Sequence, residues 1–263
     1  LTSATAWSPT KVESSEPTMV SAVSTGSTPP GGYAVEVRKL ASSQSLTSTT
    51  FPGPTHVVGT GTLNIELGKW FTDPPDFTPN GGADSVSIAI TEDDNTLEKI
   101  RDKINDAGSG VVASIVNDAT GSRLSLRSKE TGEANAFRIT ATDDDGNNTD
   151  AAGLSQLAYD ATAATNPMTR TQQAGNADLS INNIPISSAS NTLTDVLDGL
   201  TVRVSRVTDG PVELSVNRDT ETIKKSLTAF ADSYNSLVKL MRQQTAYDET
   251  TKTAGALQGD RMA

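Results

Sequence analysis

His56 is the single histidine of the chain and follows Pro52-Gly53-Pro54-Thr55. An imidazole oriented by a carboxylate can activate a serine, but no G-x-S-x-G elbow is present to display one. In a proline-bounded loop His56 reads as a surface residue. The adjacent carboxylates Glu92-Asp93-Asp94 could divide acid–base work between them. They also stand just ahead of an expected helix, where negative charge complements the positive end of the helix dipole, and that reading is the simpler one. Asp143-Asp144-Asp145-Gly146-Asn147-Asn148-Thr149-Asp150 sets Asp143, Asp145 and Asn147 at the alternate spacing of calcium ligands. The glycine is misplaced for an EF-hand and no glutamate follows at the twelfth position, so the segment is expected to be a turn. Trp7 and Trp70 read as packing anchors. No catalytic, cofactor-binding or metal-ligating residue is assigned, and the chain is read as non-enzymatic and without a cofactor.

Composition narrows the alternatives. The chain has 263 residues, net charge −11 and no cysteine. Disulfides and thiolate chemistry are excluded. Excess negative charge opposes phosphate backbones and anionic lipid, so neither nucleic acid nor membrane is expected as a partner. Nor is there a run of about 18 apolar residues that could cross a bilayer. Aromatics make up 4% of the sequence and hydrophobic residues 35%, so the cores must be aliphatic. The chain opens Leu1-Thr2-Ser3, without an initiator Met or a basic start, and reads as a trimmed fragment whose export signal would lie outside it.

The positioning elements are mostly short strands. Thr28-Pro29-Pro30-Gly31-Gly32 is a breaker, after which Tyr33–Leu40 alternates as a half-buried strand does. Leu63, Ile65 and Leu67 share one face of a glycine-bounded strand. A proline-rich loop at 73–82 and a strand at Ser85–Ile90 follow. Asn95-Thr96-Leu97-Glu98 has the form of a capping box, opening a helix with Leu97, Ile100 and Ile104 inward. Val111–Val116 and Arg123–Leu126 read as a hairpin around Asp118-Ala119-Thr120-Gly121, Phe137–Thr142 as a further strand, and 151–160 as a short helix with Leu154 and Leu157. A shorter unit, Ala177 to Asn217, repeats the order: Asn191-Thr192-Leu193 restates Asn95-Thr96-Leu97, and a compact helical turn is expected up to Gly199.

From 220 to 247 glycine and proline vanish. Ile223, Leu227, Phe230, Tyr234, Leu237 and Met241 recur at spacings of four and three, an a/d seam that asks for a partner helix, with Asp219 or Thr220 as the cap. The fold class expected is mainly β with small α/β units (α+β): two β-rich domains, one inserted in the other, plus part of a helical coiled-coil stalk. The expected boundaries are 1–32 and 219–263 for the stalk, 33–58 and 159–218 for an inner head domain, and 59–158 for an inserted outer domain.

In order along the chain, four stretches carry a family resemblance. They are Gly32–Leu46; the unit from Gly61 to Ser128, with Asn95-Thr96-Leu97, Ile104-Asn105 and Arg123-Leu124-Ser125-Leu126; Ser190–Leu200; and Phe230–Asp260, with Tyr234-Asn235-Ser236-Leu237-Val238 and Gly255-Ala256-Leu257-Gln258-Gly259-Asp260. The chain resembles the bacterial flagellar filament cap proteins, also called hook-associated protein two, and its Gly61–Ser128 unit resembles the flagellin IN motif. Pro52–Gly82 departs from the pattern, and the family's terminal coiled-coil and disordered segments are not in the sequence. The resemblance implies a structural cap at the distal, extracellular tip of the flagellum, exported by the flagellar secretion system. It implies a homo-oligomeric ring in the full-length protein, flagellin subunits as partners, and, for some members, host or surface glycans. The alternatives kept beside it are another axial subunit, of flagellin or hook–filament junction type, and a surface adhesin domain.

Overall fold

The computed structural model describes residues 10–25, 28–81, 85–163, 166–245, 247–248 and 252–254. In chain order it begins β1 (Thr10–Ser14), β2 (Val20–Ser24), β3 (Gly31–Lys39), β4 (Ser45–Thr47), β5 (Gly61–Thr72), β6 (Pro75–Pro79), β7 (Val86–Ile90), α1 (Leu97–Asp106), β8 (Val111–Asp118), β9 (Gly121–Ser128) and β10 (Ala136–Asp143). It continues β11 (Thr169–Gln172), β12 (Ala177–Ile181), β13 (Ile184–Ser188), β14 (Thr192–Leu197), β15 (Leu200–Val204), β16 (Val212–Arg218), α2 (Thr220–Thr245), β17 (Tyr247–Asp248) and β18 (Thr253–Ala254). A β-rich α+β architecture results.

Two hydrophobic cores organise these elements. One lies between the β11-β4-β9-β8 sheet and the sheet in which β5 pairs with β10, β6 and β7. Its fully buried residues include Leu46, Leu63, Ile65, Leu97, Ile100, Leu124, Leu126 and Phe137. The other lies between the β1-β16-β3-β12-β13 sheet and the β14-β15-β2 sheet, around Val20, Val35, Leu179, Val202 and Leu214. The alternation read at Tyr33–Leu40 buries Val35 and Val37, and that at Leu63 and Ile65 buries both.

Strand pairing and side-chain packing distribute the remaining segments between the two cores. Strands β1 and β2 pair with β16 and β15, so residues 10–24 join the sheets around the second core. β4 pairs with β9, and Leu46, Phe51, Val58, Met168 and Ala174 belong to the first core, so 45–58 and 168–174 pack with it. The physical reason is local. Gln44 faces inward at β4 and is bonded to Phe137, which commits the chain to that core one residue before the strand begins.

Helix α1 closes the open end of the first core. The expected capping box is absent: Thr96 is the N-cap and makes no side-chain cap bond. Instead the amides of Leu97 and Glu98 donate to the carbonyls of His56 (3.0 Å) and Pro54 (2.9 Å). A neighbouring chain segment supplies the acceptors that a helix start must find. The hairpin of β8 and β9 forms around Ala119-Thr120, with Asp118 opposite Gly121. The expected proline loop holds a strand: β6 pairs with β5, setting Phe77 against Trp70. Its prolines stand at the ends of an edge strand, where a missing N–H costs no ladder bond. The expected helical turn after Asn191 is also absent, because 192–197 is strand β14, paired with β15. The short helix at 151–160 is a 3-10 turn, Gly153–Leu157, with Leu154 and Leu157 buried.

Candidate assembly interface

Helix α2 follows β16 across a single residue, Asp219. Asp219 makes the start: its carboxylate accepts from the Thr222 amide at 2.9 Å and the Thr222 hydroxyl at 2.6 Å. Those bonds hold its pKa below the ordinary 3.8. Along the helix, Ser226, Thr228, Ser233, Ser236 and Thr245 donate to carbonyls four residues back. Their polar groups are satisfied within the helix, which leaves its apolar side as the unfilled demand.

No described residue of α2 is buried. The six seam residues lie along one side; Leu227 is 45% exposed, Phe230 54%, Tyr234 59%, Leu237 53% and Met241 39%, while Ile223 is half-buried. The structure adds Leu240, also exposed, and the half-buried Val238, which the heptad reading passed over. With Tyr234 and Met241 at a positions, Val238 and Leu240 fall at e and g. Those positions carry charge in a two-stranded coiled coil and are apolar where a helix faces the core of a bundle. Counting neighbours of Leu237 at one and three residues on would have found them. The arrangement performs no bond chemistry; it offers a ridge of large apolar side chains.

The residues first considered for chemistry have other occupations. The His56 carbonyl caps α1 and its ring lies 5.6 Å from that of Phe51. Asp94 pairs with Lys103 and accepts from the Thr91 amide at 2.6 Å. The Lys103 ammonium, foremost, holds the Asp94 carboxyl below its usual range. Asp93 contributes its backbone carbonyl to Lys99 at 2.6 Å. These acids thus tie the outer face of α1 and do not cap its amides. In the 143–150 loop, Asp143 is buried and accepts from the Ser155 amide at 2.9 Å, while Asp145 accepts from the Asn147 amide at 2.8 Å. The loop's oxygens face its own amides as in Asx turns. Among the described residues, no three His, Asp or Glu side chains converge as a metal site would need. Trp70 is a packing anchor, tilted on Phe77 at 4.5 Å and edge-on to Tyr159 at 6.0 Å. Trp7 and Gly255–Asp260 lie outside the described residues.

Two family models match the chain: the C-terminus of flagellar hook-associated protein 2 over residues 174–263, and the flagellin hook IN motif over 76–130. B-type flagellar hook-associated protein 2 of Pseudomonas aeruginosa is 33% identical over 265 residues, covering 94% of this chain and 52% of the relative. A crystal structure of the D1-D2-D3 domains of the flagellar cap protein FliD from Escherichia coli superposes with TM-score 0.76 at 32% identity, covering 90% of this chain and 74% of that one. The D2-D3 structure from the same organism gives 0.68, also at 32% identity, with 80% of this chain and all of that one covered. Both family descriptions are of flagellar proteins. The chain belongs to the flagellar hook-associated protein 2 (FliD) family. It spans about half the length of the curated relatives it matches.

Proposed function

We propose that the chain is the head and upper stalk of a non-enzymatic cap at the distal, extracellular tip of the flagellar filament, where it promotes polymerisation of exported flagellin. The observation that carries this reading is the match along 90% of the chain to a protein whose structure is described as a flagellar cap. The exposed apolar face of α2 supports it, because such a face is stable in water only when other helices cover it. In the complete protein Ile223, Leu227, Phe230, Tyr234, Leu237 and Met241 form the seam of the stalk, and the protein assembles into a homo-oligomeric ring. The head is two nested units: residues 45–174 inserted into a unit made from 10–41 and 177–218. The alternative of another axial subunit is less favoured, since the hook-associated protein 2 model covers the stalk as well as the head.

Deleting the encoding gene is expected to abolish filaments and leave flagellin secreted as monomer, read by electron micrographs of cells and by flagellin in the culture medium. Filaments of normal length in the deletion strain would overturn the proposal.

A further inference from the structure

Two chain crossings join the nested units, at 41–45 and 173–177, and they lie side by side. Ser42 and Gly175 exchange backbone hydrogen bonds, the Ser42 amide to the Gly175 carbonyl at 2.8 Å and the reverse at 3.0 Å. A pair of adjacent crossings is a hinge: each covalent link fixes a point, and rotation about the line through them stays free. The bonds between the units are few and polar, the kind of contact across which relative motion is the default.

A third attachment reaches beyond that line. In the inserted unit, the turn Thr131-Gly132-Glu133 between β9 and β10 meets the segment after β13. The Thr131 hydroxyl donates to the Ala189 carbonyl at 2.6 Å, and the Glu133 amide donates to Asn176 Oδ1 at 2.9 Å. Asn176 is held in turn by Ser187, at 3.3 Å. Gly132 donates to the Ser42 carbonyl at 3.1 Å. It has φ +105°, and a Cβ there would stand 2.6 Å from that of Ala189 and 2.9 Å from its Cα. A side chain at this position therefore meets both an unfavourable backbone region and the backbone of the other unit. Behind the turn, Lys69 of β5 grips Glu133 at 2.6 Å, tying the contact to the long central strand.

We infer that the 131–133 turn is a lock: it fixes the angle between the two head units, which without it would hinge about Ser42 and Gly175. With α2 rising directly from β16, a locked joint makes stalk and outer unit parts of one lever, so a load on the stalk displaces the outer unit without loss. The inference stands whether or not the protein caps a filament.

The absence of cysteine permits clean double spin labelling. Ser114→Cys on exposed β8 and Glu213→Cys on exposed β16 report one distance across the joint by pulsed electron paramagnetic resonance. The parent is expected to give a single narrow distribution. Thr131→Val with Asn176→Ala, which removes the bonds to Ala189 and Asn176 without adding bulk and leaves only the Gly132 bond to Ser42, on the hinge line itself, is expected to widen it. Gly132→Leu, which wedges the contact open, is expected to move its mean. Core integrity is followed in each by near-ultraviolet circular dichroism in a Trp7→Phe background, where Trp70 is the remaining tryptophan. Should Gly132→Leu fail to fold, the Thr131→Val, Asn176→Ala pair decides alone. A distribution of unchanged width and mean in that pair overturns the lock.

Discussion

Two asparagines do the same work, one beside each core. Asn105, near the end of α1, accepts from the Ala113 amide at 2.8 Å and donates to the Ala113 carbonyl at 3.0 Å. Asn191 does so to Ala41, at 2.8 and 2.9 Å. A carboxamide is the one side chain that presents a donor and an acceptor as a peptide does, so Asn105 stands in for a missing strand beside the edge strand β8, and Asn191 pairs in the same way with the segment just after β3. Asn105→Leu and Asn191→Leu each leave one amide and one carbonyl unpaired and are expected to cost about 1–3 kcal/mol, read as a lower urea midpoint. A midpoint equal to the parent's in both variants would refute this role. Gln44 is a third such residue, fully buried. Its Nε2 donates to the Phe137 carbonyl at 2.7 Å, and its Oε1 accepts from Trp70 Nε1 at 3.0 Å. Gln44→Leu preserves volume and removes both bonds, and is expected to cost about 1–3 kcal/mol as well. Retention of the native Trp70 fluorescence, read in a Trp7→Phe background, and of the midpoint in that variant would argue against the node.

Helix α2 separates local from borrowed stability. In the chain by itself its seam is wet, so Leu237→Ala is expected to change stability by less than about 0.5 kcal/mol, as surface substitutions do. Leu126→Ala, in the first core, is expected to cost about 2–5 kcal/mol. In a chain long enough to supply the partner helices, Leu237→Ala becomes a core substitution, and its cost by urea unfolding rises toward that of Leu126→Ala. Equal small effects in both lengths would mean that the seam is never covered. The helix start is pH-sensitive with a definite sign. The folded pKa of Asp219 lies below its unfolded value of 3.8 because of the Thr222 bonds. The stabilisation is complete above that unfolded value and is lost as the pH falls through the lower folded one. Far-ultraviolet circular dichroism should show α2 fraying in acid. Asp219→Asn, an equally good cap that does not titrate, should fray less; identical acid profiles would exclude Asp219 as the cause.

At the scale of the molecule, a lone stalk helix with an apolar face that includes Val238 and Leu240 asks for more than one partner helix, and this chain contains no second long helix among its described residues. Isolated, the chain is expected to remain monomeric at micromolar concentration by light scattering, since ordering a ring requires the covered stalk. A stable closed ring formed by this chain alone would place the assembly contacts in the head instead.

Periodicity made several elements legible from sequence alone: the strand at Tyr33–Leu40, the inward stripe of Leu97, Ile100 and Ile104, the β8–β9 hairpin and helix α2. These are local facts, because side-chain spacing follows directly from backbone repeat. The absence of cysteine and the acidic balance are equally properties of the sequence. Only the tertiary structure decided the rest. It drew β1 and β2 into the sheets of the second core through pairing with residues 176–208 positions away. It turned Asn191-Thr192-Leu193 into a strand where the like triplet at 95–97 starts a helix, and gave the caps of α1 to Pro54 and His56. A backbone donor takes whichever acceptor the fold brings near, and that choice is made by chain segments remote in sequence, which no local pattern records.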